Sequence, residues 1–470
     1  MRKTKMICTV GPACTDEGIL EQMMLAGMNV ARLNFSHGSH EEHGERIAMI
    51  KKVREKLNLP IAIMLDTKGP EYRIGTFKNG KEVLNDGDEF AFTTKETVGS
   101  SKMVSVSYEG LAQEMQPGDR ILVNNGLLIF EVNNVKGDII NCTVISGGVI
   151  SDRKSMSFPG KVLKQKYLSD KDKADLKFGV EQGVDFVACS FVSCKQDLVD
   201  VRTFLDENGG EDISLIAKIE NGSGVENIEE IAKLCEGIMI ARGDMGVEVP
   251  FEELPSIQKK LITKCRMLGK RVITATEMLE SMITNPRPTR AEISDVANAV
   301  YDGTSAVMLS GETAAGKYPV LTVETMSRIV EKTEEAIHYK KRFYSNEFII
   351  KDSMDAISHS VCAMSMDLDA KAIVVSSISG QTARMVSRFR TPVNIIGLCV
   401  NDKAWRKLAL SWGVIPVKCE VLPSAEVLFY RAKQIAQETL ALSEGDTIII
   451  TGGAVTGHSG NTNTIRIENI

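Results

Sequence analysis

Aromatic residues are scarce in this chain, at 5% of its 470 residues. Ten cysteines are present, yet no two stand in a Cys-x-x-Cys pair. That argues against a zinc site and a disulfide framework, and for reduced, buried thiols in a cytoplasmic protein. No apolar run approaches the ~20 residues that span a bilayer. The basic start, Met1-Arg2-Lys3-Thr4-Lys5, leads into a short strand-like stretch and not into a signal-peptide core. No low-complexity segment occurs. An excess of positive charge is also missing: the net charge is −6. That argues against a general nucleic-acid binder, although a local cluster of Arg and Lys can still receive an anionic substrate.

What is abundant points to α/β architecture. Hydrophobic residues make up 43% and glycines number 38, which suits buried Val and Ile strands joined by Gly-bearing turns. The length exceeds one hydrophobic core and implies about two to four domains.

Short apolar runs at 5–10, 29–34 and 61–66 alternate with amphipathic stretches at 16–26 and 40–57, the pattern of βα units. From 70 to 158 the helical period vanishes. Turn signals such as Asn85-Asp86-Gly87 and Gln116-Pro117-Gly118-Asp119 divide short alternating segments there, which predicts a small all-β domain. The βα rhythm then resumes with strands at 186–191, 214–220, 237–242, 271–276 and 306–310, and helices that include 251–269 and 291–301. Three strands before the insert and five after it make a (β/α)8 TIM barrel. The expected domains are therefore residues 1–69 and 159–340 as the barrel, 70–158 as an inserted β-barrel lid, and 341–470 as a C-terminal open α/β domain. A polar linker is expected over 340–351. After it come a helix at 353–366 and strands at 371–376, 394–398, 414–417 and 447–451.

Catalytic groups in such a barrel sit at the C-terminal strand ends. Here those ends read Arg32-Leu33-Asn34-Phe35-Ser36-His37, Asp66-Thr67-Lys68-Gly69, Ser190, Lys218-Ile219-Glu220-Asn221, Arg242-Gly243-Asp244, Thr274-Ala275-Thr276 and Ser310-Gly311-Glu312. Any one of these could be a cap or a turn residue, but all converge on one mouth. The set holds carboxylates, hydroxyls and fixed cations, with no placed His or Cys nucleophile. That suits metal-assisted handling of a phosphorylated anion. The histidines at 37, 40 and 43 also invite a zinc reading, against which stand capping and surface roles.

These stretches, with 285–292 (Asn-Pro-Arg-Pro-Thr-Arg-Ala-Glu) and 308–313, resemble the pyruvate kinases, and the resemblance runs through the whole chain. It implies transfer of the phosphoryl group of phosphoenolpyruvate to ADP, giving pyruvate and ATP. Glu220 and Asp244 would hold Mg²⁺ (or Mn²⁺). Asn34, Ser36, Asp66 and Thr67 would supply oxygens to K⁺, and Glu71 marks the K⁺-dependent members. Arg32 and Lys218 would grip the phosphoryl group. Gly243 and Asp244 would receive the substrate carboxylate, and Thr276 would touch it or help protonate the enolate. Arg73, His37 and Lys171 would reach the ADP phosphates. Ser377, Ser379, Gly380, Gln381 and Thr382 would bind a phosphorylated effector, a sugar phosphate or AMP, under a Gly-rich loop at 451–463. A homotetramer is implied as well. The family usually has two aspartates before Gly-Leu in the lid, where this chain has Asn124-Asn125-Gly126-Leu127. A Mg²⁺-dependent aldolase acting on a pyruvate enolate and a catalytically dead metabolite sensor are the competing readings. Arg73 and the lid favour the kinase over the aldolase, and intact Arg32, Lys218, Glu220 and Asp244 disfavour the sensor.

Overall fold

The computed structural model describes residues 2–453 and 462–470. Eight parallel strands close into a barrel: Lys5–Thr9, Val30–Asn34, Ala62–Asp66, Phe186–Cys189, Ser214–Ile219, Gly237–Ala241, Arg271–Ala275 and Ala306–Leu309. Each pairs with its neighbours in sequence order, and the first closes on the eighth through Lys5 with Ala306. Period-two alternation divides their side chains. Ile7, Val30, Met64, Ala188, Ile216, Met239, Ile273 and Met308 belong to one buried cluster. Residues of the opposite parity, such as Leu33, Leu65, Val187, Ala217 and Ile240, belong to a second, larger cluster with residues of the surrounding helices.

The helices start where side chains can satisfy their free N–H groups. Ser39 caps His40–Leu57 in a box with Glu42, and Thr289 caps Arg290–Asp302 with Glu292. Ser169 and Asp172 do the same for Asp170–Glu181.

Between the third and fourth barrel strands lies a seven-stranded sheet, with a two-stranded one beside it. Its edge strands, Tyr72–Arg73 and Met103–Ser105, are joined by the bridge of Ile74 with Val106. That contact rolls the sheet round Phe90, Phe92 and Phe130, whose rings pack edge-on or tilted at 5.0–5.5 Å. Asn124 and Asn125 both take left-handed backbone, φ 57° and 55°. Asn tolerates that conformation better than most residues, so the departure noted above sits where turn geometry favours it.

The C-terminal sheet has five strands in the order Val414–Lys418, Asn394–Cys399, Ala372–Ser376, Thr447–Gly452, Thr464–Asn469. The first four are parallel and the last is antiparallel. Sequence reasoning finds four of them and misses Thr464–Asn469. That strand is an edge strand with little burial, so its side chains carry little apolar signal. The expected linker is also corrected. Tyr339–Ser345 is a helix, and buried Tyr339 and Phe343 tie it down. No helix among the described residues is long and apolar enough to cross a membrane.

Candidate active site at the barrel mouth

Arg32 on the second strand, Asp66 at the end of the third and Lys218 on the fifth form one buried charge cluster. Arg32 Nε donates to Asp66 Oδ2 at 2.6 Å, and its Nη1 donates to Thr9 Oγ1 at 2.9 Å. Lys218 Nζ donates to Asp66 Oδ1 at 3.0 Å and to Ser190 Oγ at 2.7 Å. The same ammonium lies 3.2 Å from Glu220 Oε1. Asp66 and Glu220 are both 0% exposed, so each carboxylate depends on these partners in place of water.

The environment separates their acidities. Burial would raise Asp66, but Arg32 and Lys218 overcome it and hold the carboxyl below its usual range. Burial would depress Lys218, but Asp66 and Glu220 more than offset it and keep the ammonium charged. Glu220 goes the other way. Burial pushes it up, Lys218 pulls it down, the charge of Asp244 adds to the rise, and it ends at about 7. Asp244 is raised too, chiefly by burial.

Glu220 Oε2 accepts from the Phe191 N–H at 2.6 Å. Its Oε1 is buried and accepts no aligned hydrogen bond. Asp244 lies within hydrogen-bonding reach of the Glu220 carboxyl. The buried Glu220 carboxylate, with an oxygen that accepts no aligned hydrogen bond, and the Asp244 carboxylate face each other there, and that donor set fits a hard divalent cation. Among the described residues no group of three or more His, Cys, Asp or Glu is arranged to hold a metal. Such a cation would complete its shell from substrate and water.

The sixth strand runs into the helix Arg242–Glu248, which carries Gly243 and Asp244. The Gly243 N–H donates to Thr276 Oγ1 at 2.8 Å, so those three residues come together. At the far end of this helix Glu248 accepts from Ser157 and from the Phe158 N–H, where the lid chain returns to the barrel.

Asn34 and Asp66 pair in register at the ends of their strands. Asn34 Oδ1 accepts from the Ser36 N–H at 3.1 Å. Thr67 Oγ1 accepts from the Ser190 N–H at 3.2 Å. The four residues expected around K⁺ are thus neighbours, with the Asp66 oxygens already turned to Arg32 and Lys218.

The expected nucleotide residues are less gathered. Lys171 Nζ donates to the Phe35 carbonyl at 2.9 Å and pairs with Asp175 at 2.6 Å, which brings it to the loop after the second strand. His37 is exposed on that loop. Arg73, on the lid edge, pairs with Glu71 at 2.5 Å and donates to the Arg153 carbonyl at 2.6 Å. No hydrogen bond or ion pair joins Arg73 to His37 or Lys171. The ring nitrogens of the three histidines do not share a ligand site. His40 meets Asp175, and His43 meets the His37 carbonyl.

In the C-terminal domain Gly380 takes φ 76° ahead of the helix Gln381–Ser387. The Gln381 N–H donates to Ser379 Oγ at 3.4 Å, and the Thr382 and Thr462 hydroxyls meet at 2.6 Å. Ser377 begins the same turn. Most of the Gly-rich loop expected over it, 454–461, lies outside the described residues.

Sequence reasoning notes Ser190 only as a strand end and gives it no role. It bonds Lys218, Asp66 and the Thr67 carbonyl. The signal available was its place at the fourth strand's end. Glu312, by contrast, is a buried staple that accepts from the Leu279 and Ser310 N–H groups.

Comparison with known proteins agrees with this geometry. The family model described as pyruvate kinase, barrel domain, matches residues 1–323, and that of pyruvate kinase, alpha/beta domain, matches 355–468. The pyruvate kinase of Staphylococcus epidermidis is 47% identical over 472 residues, covering 100% of this chain and 80% of its own. That of Clostridium perfringens is 45% identical over 474 residues, covering 100% of both. A crystal structure of a pyruvate kinase from Cryptosporidium parvum superposes with a TM-score of 0.94 at 37% identity, covering 100% of this chain and 96% of that one.

Proposed function

Because the chain belongs to the pyruvate kinase family, we propose how its own residues divide the work of moving the phosphoryl group of phosphoenolpyruvate to ADP. The chain is a phosphotransferase that yields pyruvate and ATP, and the aldolase and sensor readings lapse with that membership. One P–O bond breaks and one forms. The enolate left behind then takes a proton at its methylene carbon.

Arg32 and Lys218 bind the phosphoryl oxygens and stabilise their charge during transfer. Asp66 holds both cations in position, with Thr9 beside Arg32 and Ser190 beside Lys218, so little reorganisation is needed when substrate arrives. The N–H groups of Gly243 and Asp244 receive the substrate carboxylate, which takes the place of Thr276 Oγ1 on the Gly243 N–H. The Thr276 hydroxyl beside them orients the proton donor for the enolate. Arg73, His37 and Lys171 reach the ADP phosphates, and Arg73 arrives with the lid. Closure of the lid excludes water, which would otherwise compete with ADP for the phosphoryl group.

Glu220 and Asp244 would hold Mg²⁺ or Mn²⁺, which supplies positive charge against the substrate oxygens. Asn34, Ser36, Asp66 and Thr67 offer hard oxygens to K⁺, with Glu71 as the mark of that dependence. The hydroxyls of Ser377, Ser379 and Thr382, with Gly380 and Gln381, are read as the seat of a phosphorylated effector, a sugar phosphate or AMP. A cytoplasmic homotetramer completes this reading by resemblance.

The observation that carries the assignment is Lys218. A buried ammonium on a barrel strand, shared by Asp66 and Glu220, is poorly explained as a surface lysine. The test is pyruvate formation from phosphoenolpyruvate and ADP with Mg²⁺, in KCl and in NaCl, with and without fructose 1,6-bisphosphate or AMP. Activity in KCl with little in NaCl supports the K⁺ assignment, and equal activity sinks it. Stimulation by either phosphate ester supports the effector seat. Lys218→Met with unchanged kcat would remove the central assignment.

A further inference from the structure

Thr276 and Glu277 follow the seventh barrel strand with φ 68° and 53°. Both lie in the left-handed region, which disfavours a β-branched residue such as Thr. Backbone held this way persists only where the surroundings enforce it. Here the enforcing group is Arg242. It is buried. Its Nε reaches the Ala275 carbonyl at 3.3 Å and the Thr276 carbonyl at 3.2 Å. Its Nη2 donates to the Thr276 carbonyl at 2.6 Å and the Glu277 carbonyl at 3.1 Å. Three successive carbonyls therefore converge on one guanidinium. The remaining nitrogen, Nη1, pairs with Asp295 Oδ2 at 2.6 Å, which fixes the fork from behind.

The turn so held puts the Thr276 hydroxyl in one place. It donates to the Ala275 carbonyl at 2.6 Å and accepts from the Gly243 N–H at 2.8 Å. Arg242 and Gly243 are adjacent in the chain. The clamp thus ties the Thr276 turn to the same peptide segment that carries Gly243 and Asp244.

We infer that Arg242 is a positioning residue for the proton step. By clamping the carbonyls of 275–277 it holds Thr276 in a left-handed turn, with the hydroxyl aimed at the segment that receives the substrate. This rests on the reading of Thr276 given above. Arg242 itself touches no substrate. Lysine cannot replace it, because its three N–H donors radiate from one nitrogen and cannot span the three carbonyls and Asp295 that the three guanidinium nitrogens reach.

The test compares the wild type with Thr276→Ala, Arg242→Met, and Arg242→Met combined with Glu277→Gly. Glycine at 277 adopts positive φ without penalty and so relieves the strain that the clamp opposes. Three readouts are taken: kcat, KM for phosphoenolpyruvate and ADP, and exchange of pyruvate methyl protons into D₂O followed by NMR. The last isolates the proton step from phosphoryl transfer. Arg242→Met is expected to lower kcat and the exchange rate about tenfold or more while each KM moves less than about threefold. Glu277→Gly is expected to recover a several-fold part of both in that background and to change little in the wild type. Equal loss of exchange in Arg242→Met with and without Glu277→Gly, at an unchanged thermal midpoint, overturns the inference. So does Arg242→Met with exchange within about twofold of wild type, as that range lies inside ordinary surface effects. If Thr276→Ala keeps its exchange rate, the reading of Thr276 fails and takes the inference with it. If Thr276→Ala loses exchange and Arg242→Met does not, only the clamp fails. Should Arg242→Met not fold, Arg242→Lys carries the test: a matching loss of exchange supports the fork, and full activity overturns it.

Discussion

Arg32 and Asp66 meet through Nε and Oδ2 at 2.6 Å across the second and third barrel strands, with side chains 10% and 1% exposed. Lys218 reaches the other oxygen of the same carboxylate. One buried anion thus serves two cations, and neither cation has much water to fall back on. Asp66→Ala is expected to cost about 3–5 kcal/mol, the usual penalty for stranding buried charge. The effect also has a pH signature. The pKa of Asp66 is held below its ordinary value, so its stabilisation is present above about pH 4 and is lost as pH falls through the folded value. Thermal midpoints of wild type and Asp66→Asn, measured from pH 3 to pH 7, should therefore converge at the acid end. A gap that stays constant across the range counts against charge pairing as its source.

Glu220 has the opposite sign. Its acidity lies at about 7 against an ordinary value of 4.5, mainly because of burial. A carboxyl raised in the folded state stabilises when protonated, so its contribution is full below pH 4.5 and is lost as pH rises through about 7. Metal-free wild type should lose stability relative to Glu220→Gln across that window. Mg²⁺ or Mn²⁺ requires the anion, so titration calorimetry should show affinity weakening as pH falls below 7, with proton uptake by buffer on binding. Pre-equilibrating protein and titrant at each pH separates this from denaturation. A pH-independent affinity would remove Glu220 from the cation site.

Glu71 and Arg73 pair at 2.5 Å at the lid edge. Glu71→Lys breaks the pair and puts a fixed cation beside the mouth. If Glu71 marks K⁺ dependence, the ratio of kcat in KCl to kcat in NaCl should fall toward one in this variant. An unchanged ratio would detach K⁺ from Glu71.

Much of this arrangement was legible in the sequence, for a physical reason. Parallel barrel strands are buried on both faces, so they read as short continuous apolar runs, and a polar residue ending such a run is conspicuous. That is how Asp66, Lys218, Glu220 and Asp244 stand out. The boundaries were less secure. The fourth strand stops at Cys189 and not at 191, because Phe191 turns to φ 56° and aims its N–H at Glu220. Contacts to backbone were invisible. Arg242 spends two of its three nitrogens on backbone carbonyls, and a carbonyl leaves no trace in residue identity. The same holds for Arg388 and Arg390, whose guanidiniums bond the Met267 and Gly303 carbonyls between the C-terminal domain and the barrel. Tyr339 and Phe343 turn an expected linker into a helix because their burial outweighs the local Lys-Lys-Arg.

The junction between the barrel and the C-terminal domain has its own buried anion, and the asymmetry of its partners gives a graded prediction. Asp185, 0% exposed, precedes the fourth barrel strand. Its Oδ1 accepts from Arg406 Nε at 2.8 Å, on the helix Asp402–Leu408 of the C-terminal domain. Its Oδ2 accepts from the Ile63 N–H at 2.9 Å and lies 3.8 Å from Arg54 Nη1. Removing Arg406 leaves Asp185 with the Ile63 N–H and a nearby cation, so Arg406→Ala should cost about 1–3 kcal/mol, the range for one charged hydrogen bond. Removing Asp185 strands Arg54, Arg406 and a barrel-strand N–H together, so Asp185→Ala should cost about 3–5 kcal/mol. The double variant should then cost little more than Asp185→Ala alone, because Arg406 has no anion left to lose there. Urea midpoints of the three variants decide it. If the two single costs simply add, Arg406 stabilises the protein by something other than Asp185, and the carboxylate is not the anchor that joins the two domains.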